Sequence, residues 1–259
     1  MKPGWFIVGL SSMFFLLLSS CEKENDLPYF EAPQGEGILL RVLLFSDIDS
    51  ETPICITEEY EYDEEERVSR VSSPMYEDGA VVGTIWYNLY DYNSKGQLNS
   101  IMNFNANKNA PTGFVNLQNY TYTYSGDGKK IKEYIEYPLI NSFEYYLYQY
   151  EQNRLVRIEH FGSNDELESY VEKEYDEKGY LVKERIYTYD NQLLSFTNHQ
   201  YTGGLNTRSD VYAGSEKEHV RQILKTYDDA FNLIVLESKE LSLVSSMMSY
   251  VLRYEYMDE

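Results

Sequence analysis

From residue 38 to the C-terminus the chain divides into stretches of about eight to ten residues, such as "LVKERIYTY" and "LLSFTNHQY". In these, aliphatic, aromatic and charged side chains mix at a two-residue spacing, and Asp, Asn, Ser, Gly or Lys clusters separate them. That is the periodicity of strands joined by turns. The alternation is imperfect, because segments such as "EYYLYQY" carry aromatics on both faces. No long segment beyond the N-terminal apolar run has a convincing 3.6-residue period, so an all-β chain is expected. At about 3.3 Å per residue each strand would be roughly 30 Å long.

The strands carry a longer rhythm. "VEKEYDEKGYLVKE" (171–184) reads as a strand ending at Tyr175, a turn over Asp176 to Gly179, and a strand restarting at Leu181. Aligned on such strand ends, the anchors are Tyr62, Tyr92, Tyr124, Tyr150, Tyr175, Tyr201, Tyr227 and Tyr256, at spacings of 30, 32, 26, 25, 26, 26 and 29. Two residues before them stand Tyr60, Tyr90, Tyr122, Tyr148, Lys173, His199, Lys225 and Tyr254. A persistent period of this length marks repeated supersecondary units. The clearest copies follow 175, 92 and 227, where Asp228 matches Asp176; those after 62, 124 and 150 are degenerate, and "YTGGLNTRS" (201–209) departs furthest. Asp, Asn and Ser start turns through side-chain bonds to backbone, and Gly supplies positive φ. Gly96, Gly128 and Gly179 suit that role. Second turns are expected at 77–79, 107–113, 139–142, 162–165, 190–192, 214–217 and near 241–246. One period is then two antiparallel strands and two turns.

The pattern Tyr-Asp-x-x-Gly-x-Leu with a period near 26 resembles the YD, or RHS, repeat over roughly residues 55 to 259. In large RHS and toxin-complex proteins such repeats wind a β-sheet into a shell around a toxic cargo. Here the chain ends "LRYEYMDE" within its last strand, so a cargo segment and the shell function are not expected. With "ILLRVLLFS" (38–46) and "PICITEEYEY" (53–62) as opening strands, about 15 or 16 strands are expected in one antiparallel meander. A sheet so large twists, curves and tends to roll up. Its edges should be blunted by charge.

The N-terminus adds an address. Lys2 is the only charge before Glu22, and an apolar run from Trp5 to Leu18 is short for a permanent membrane span. These are the n- and h-regions of a signal peptide, here 1–20. "LSSC" ending at Cys21 resembles a bacterial lipobox, which implies a diacylglycerol and a further acyl chain, such as palmitate, on Cys21. The acidic "EKEND" after it resembles the export signal of Bacteroidota surface lipoproteins. Residues 21–36, rich in charge and Pro, read as an acidic tether, with a single β-repeat domain over 37–259. Lipobox, tether and repeats together resemble small Bacteroides-type lipoproteins, which implies the outer membrane, with the β-repeat domain at the cell surface rather than on the periplasmic face.

The formal charge is −21, and about −22 once Lys2 is removed. A surface this acidic excludes nucleic acid and suits solubility. The 27 Tyr against 11 Phe and 2 Trp favour sheets with a wet face. Cys55, in apolar "PICIT", has no intrachain partner once Cys21 is lipidated and reads as a buried thiol.

Candidate chemistry is sparse. His160, His199 and His219 make no metal-ligand spacing, and nucleophile elbows, phosphate loops and Cys-x-x-Cys are absent. Asp47, Asp49 and Glu51 alternate but lack the Gly and distal Glu of a Ca2+ loop. With 43 acidic residues, carboxylate pairs suited to a glycan hydrolase arise by chance. Trp86, with Tyr87 and Tyr90, is a candidate contact patch, against plain packing in the sheet. The reading is a lipid-anchored binding or scaffold module for surface protein or glycan, with no catalytic residue, metal or cofactor. A hydrolase and a purely structural envelope protein are the rivals.

Overall fold

The computed structural model describes residues 38–46, 48–77, 80–214, 218–241 and 249–257. Cys21, the lipobox and the tether lie outside these residues. Within them the chain forms strands only: β1 (Leu39–Phe45), β2 (Cys55–Tyr62), β3 (Val68–Glu77), β4 (Ala80–Tyr92), β5 (Leu98–Ala106), β6 (Phe114–Tyr124), β7 (Lys130–Tyr137) and β8 (Ser142–Glu151). They continue as β9 (Arg154–Phe161), β10 (Leu167–Tyr175), β11 (Leu181–Thr188), β12 (Leu193–Thr202), β13 (Leu205–Ala213), β14 (Glu218–Tyr227), β15 (Leu233–Glu240) and β16 (Tyr250–Tyr256). Each strand pairs antiparallel with its sequence neighbours, and β1 pairs with β16, so the meander closes into a barrel. The expected blunted edges are therefore corrected: closure leaves the sheet no edge to protect.

The repeated joint is one local structure. In the turns 63–66, 93–96, 125–128, 176–179 and 228–231, the fourth residue donates its N–H to the carbonyl of the first. The Oδ1 of Asp63, Asn93 or Asp176 also accepts N–H groups two and four residues on. Gly96, Gly128 and Gly179 take the positive φ there, and where no glycine stands at that position Glu66 (60°) and Phe231 (66°) take it instead. The two most divergent joints use a shorter turn. Gln152–Asn153 and Gly203–Gly204 have positive φ at both positions, the signature of a two-residue type I′ hairpin.

The anchor tyrosines explain why the motif needs a hydroxyl. Tyr62 donates to the carbonyl of Leu39, Tyr92 to Val68, Tyr124 to Leu98 and Tyr150 to Lys130. Tyr175 donates to Leu155, Tyr227 to Asn206 and Tyr256 to Leu233, over 2.6–3.0 Å across the set. Each acceptor sits two residues before the strand's first paired residue toward the tyrosine: β5–β6 pairing starts at Ser100, and the hydroxyl takes Leu98. Each tyrosine thus binds a carbonyl where the backbone ladder stops and two neighbouring joints splay apart. A buried carbonyl left without a partner is costly.

At every anchor the register also slips by one residue. Tyr92 faces Leu98 while Asp91 faces Ser100, and Tyr175 faces Leu181 while Glu174 faces Lys183. The same β-bulge recurs at Tyr62, Tyr124, Tyr150, Tyr201 and Tyr227, and at Tyr256 against β1. A bulge bends its strand and sharpens the right-handed twist. Repeated in phase at one rim, it supplies curvature that lets the sheet meet itself. The seam runs from Leu39↔Tyr256 to Phe45↔Val251 and carries an Arg41–Glu255 ion pair.

Register also assigns faces. The anchors, the residues two before them, and Trp86, Asn88, Asn103, Glu133 and Glu184 share one face. Glu61, Arg70, Tyr87, Phe104, Tyr145, Arg185 and Asp210 take the other. The first face is the lumen: it holds Glu58, Tyr60, Tyr120 and Tyr146, all pushed up in pKa chiefly by burial. The apolar core is split accordingly. One cluster, Ile135, Tyr146 and Tyr148, faces the lumen. The other, Leu43, Phe45 and Val251, lies outside at the seam.

Candidate functional site

The residues two before each anchor form an inward ring whose chemistry changes around the circumference. From β16 through β8 it is aromatic: Tyr254, Tyr60, Tyr90, Tyr122 and Tyr148. From β10 through β14 it is cationic or imidazole: Lys173, His199 and Lys225. Carboxylates complete both arcs. Tyr148 donates to Glu133 over 2.7 Å, and the Lys130 ammonium lies 3.5 Å from Glu133 and 4.6 Å from the Tyr148 ring centroid. Tyr60 donates to Glu58. On the other arc Glu184 lies 3.3 Å from Lys173 and 3.1 Å from His199 Nε2. Burial works to raise the Glu184 pKa, but its bond to His199 and the Lys173 charge outweigh it and hold it at about 2.

All three histidines sit against carboxylates, which spacing alone did not reveal. His199 Nδ1 is 2.8 Å from Ser209 Oγ, giving a Ser209–His199–Glu184 line across β13, β12 and β11. Ser169, His160 and Glu144 repeat it across β10, β9 and β8, at 3.4 and 3.1 Å. The residue types match a nucleophile–base–acid relay, but the setting does not. Ser209 is 4% exposed and stands in β13, which is paired on both sides. These lines rigidify the wall. His219 lies on the outer face, stacked on Tyr212 and 3.1 Å from Asp210. Among the described residues no cluster of three His, Cys, Asp or Glu could hold a metal. Cys55 opens β2 half-buried, and burial raises its thiol pKa, which disfavours the reactive thiolate. Asp47 lies outside the described residues.

The candidate patch Trp86, Tyr87 and Tyr90 is divided by the pleat. Tyr87 points outward, stacks on Phe104 at 4.9 Å and lies beneath the Arg70 guanidinium. Trp86 and Tyr90 point into the lumen. Trp86 lines a cavity of about 410 Å3 with Asn103, Asn105, Leu117, Gln118, Tyr137, Leu139 and Ile140. This is the mouth of the barrel at the rim opposite the anchors. Leu117 is the extra residue of a separate bulge, where Asn103 faces Gln118 but Phe104 faces Asn116. Sequence alternation could not place that slip.

The outer wall carries ion pairs. Arg70–Glu61, Arg157–Glu172, Arg185–Glu174, Arg208–Asp210 and Lys239–Glu237 all lie on it. Its aromatic pairs, such as Tyr145–Phe161 and Phe196–Tyr212, are overlain by Lys132 and Lys183 at 4.4 and 4.6 Å. A membrane-spanning barrel needs an outward apolar band about 25 Å tall, and a charge at its midplane costs about 2–4 kcal/mol.

No family model matches the chain, and no curated protein does. The YD-like pattern therefore stays a resemblance of residues. Among solved structures, the chain is similar to a porin-like protein from Bacteroides uniformis, 11% identical over 87% of this chain and 99% of that one, with a TM-score of 0.55. That similarity establishes a shared barrel fold. A porin-like protein from Bacteroides vulgatus is 12% identical over 86% of this chain and 99% of that one, at a TM-score of 0.35. The Photorhabdus luminescens Tc holotoxin pore is 16% identical over 80% of this chain and 13% of that one, at 0.23. Neither of these two scores supports further argument.

Proposed function

We propose that this chain is a non-catalytic cell-envelope barrel, anchored by lipid on Cys21, that stands in water and binds glycan or protein at its distal mouth. The observation that carries this reading is the ion-paired outer wall, which would be heavily penalised against acyl chains. A water-facing barrel needs another route to the membrane, and the lipobox-like Cys21 supplies one. Topology supports the orientation. Met257 bonds to Ile38 at the anchor rim, so the segment leading back to Cys21 joins the barrel there. The mouth at Trp86 then faces away from the bilayer. The porin-like neighbour supports an envelope setting, while the charged wall argues against a spanning pore.

The test is fractionation of cells expressing the full chain and its Cys21→Ser variant. The wild type should pellet with membranes and need detergent for release, and the variant should be soluble. A variant that stays in the membrane through an alkaline carbonate wash would show that the barrel itself inserts, and the reading would fail.

A further inference from the structure

The mouth cavity has an unusual lining for this chain. Of 259 residues, 65 are Asp, Glu, Lys or Arg, yet among the described residues none of them lines it. Its polar groups are the amides of Asn103, Asn105 and Gln118, the Trp86 indole N–H and the Tyr137 hydroxyl. Some are already committed: Asn103 donates to Asn88 over 2.7 Å, Gln118 accepts from Tyr120 and donates one N–H to Tyr137, and Tyr137 donates to Glu144. Those bonds hold the amides in fixed orientations and leave acceptor or donor capacity on each. The Asn105 amide and the Trp86 N–H have no hydrogen-bond partner among the described residues. The rest is apolar: Leu117, brought there by its bulge, and the turn residues Leu139 and Ile140, 63% and 69% exposed. The volume falls within the about 300–1,000 Å3 usual for small-ligand sites.

We propose that this cavity binds a neutral saccharide unit, with the Trp86 ring as stacking platform and Asn105 and Gln118 as hydroxyl-reading amides. The proposal rests on the binding role above and narrows it. A sugar ring offers apolar C–H faces and many hydroxyls that both donate and accept. An aromatic face beside fixed carboxamides complements both features without charge. An anionic ligand would find no cation in the lining, and a cation no carboxylate. A long aliphatic ligand would strand the indole N–H and the Asn105 amide unpaired, at a desolvation cost.

The experiment uses the full chain in detergent, where removal of residues 1–20, or Trp5→Phe if they are retained, leaves Trp86 as the only indole. Cellotriose, maltotriose and mannotriose are titrated against its fluorescence, with trigalacturonate as the anionic control. At least one neutral sugar should give a saturable change with a midpoint below about 1 mM. By calorimetry, Trp86→Ala should weaken that binding at least about tenfold. Trp86→Phe should retain part of it, and Asn105→Ala should weaken it without lowering the melting temperature. Equal binding by Trp86→Ala, tighter binding of trigalacturonate, or no response to any neutral sugar would overturn the proposal. The membrane fractionation is unaffected by any of these results, so the saccharide assignment can fail while the anchored, water-facing barrel stands.

Discussion

The two rims of this barrel obey different rules. At the anchor rim one joint recurs: a Tyr bonded to the neighbouring joint's carbonyl, a side chain holding the turn, a positive-φ residue, then a bulge. At the distal rim the turns differ. Gly162–Asp165 and Thr188–Asn191 close four-residue turns, residues 107–113 make a longer loop, and 138–141 a short one. Exposed apolar tips gather there too: Ile48, Ile54, Val81, Val82, Leu139, Ile140 and Tyr189. Anchor-rim joints all meet the same splay of strands, and each keeps the bulge at its tyrosine even where the turn shortens to two residues. The distal turns 162–165 and 188–191 share the positive-φ fourth residue and a register slip beside the turn, so among the described residues the rims differ in the recurring Tyr-to-carbonyl bond and in the variety of turn length.

That contrast can be broken by substitutions measured through chemical denaturation and thermal melting. The largest loss should come from Tyr175→Ala, which deletes a packed ring and orphans the Leu155 carbonyl, at about 3 kcal/mol. Tyr175→Phe keeps the ring and should cost about 1 kcal/mol. Equal stability of Phe and Tyr at this position would remove the hydroxyl from the explanation of the motif.

Glu184 is next. Its folded pKa, about 2, lies below the ordinary 4.5, so the stability it contributes is complete above 4.5 and is lost as pH falls toward 2. Glu184→Gln strands Lys173 and His199 and should cost about 2 kcal/mol at neutral pH. Its melting temperature should then fall less steeply than the wild type's between about pH 5 and pH 2. A parallel decline in both proteins would refute the assignment.

Two turn variants sharpen the comparison with opposite signs. Gly179→Ala, at φ +93° with Arg154 Nη2 3.2 Å from the added Cβ, should destabilise by about 1 kcal/mol. Phe231→Gly relieves a bulky residue at φ +66° and should stabilise by about 0.5–1 kcal/mol. Smallest of all, Leu139→Ser with Ile140→Ser at the distal rim should change stability by less than about 0.5 kcal/mol. A loss as large as that of Tyr175→Ala would mean that the distal rim is structural after all.

What the sequence revealed follows the same division. The anchors, their period and the glycine positions were legible because each joint is built from residues adjacent in the chain. Strand number was legible through the turn residues. Closure was not, because β1 and β16 carry no local mark that they pair with each other. The bulges were not, because Ile131 and Val182 look like any strand residue, and only the partner's register shows them to be extra. The same limit hid both Ser–His–Glu lines, which join three strands. It also split Trp86 from Tyr87, adjacent in sequence and on opposite sides of the wall. The Trp86 cavity was half-visible: its aromatic was noticed, but the amides facing it come from β5 and β6.

The seam has a kinetic consequence. Most strand pairs can form from hairpins a few residues long, but Arg41 must find Glu255 across 214 residues of chain. Closing a loop of that length costs about 3 kcal/mol more entropy than closing a ten-residue turn. A ribbon of hairpins that closes last is the expected order of assembly, and pulse-labelled hydrogen exchange should protect β1 and β16 after the inner strands. Until β16 is made, β1 presents an unpaired edge to whatever strand comes near. The other strand pairings are between sequence neighbours, and the seam alone carries the cost of closing the whole chain.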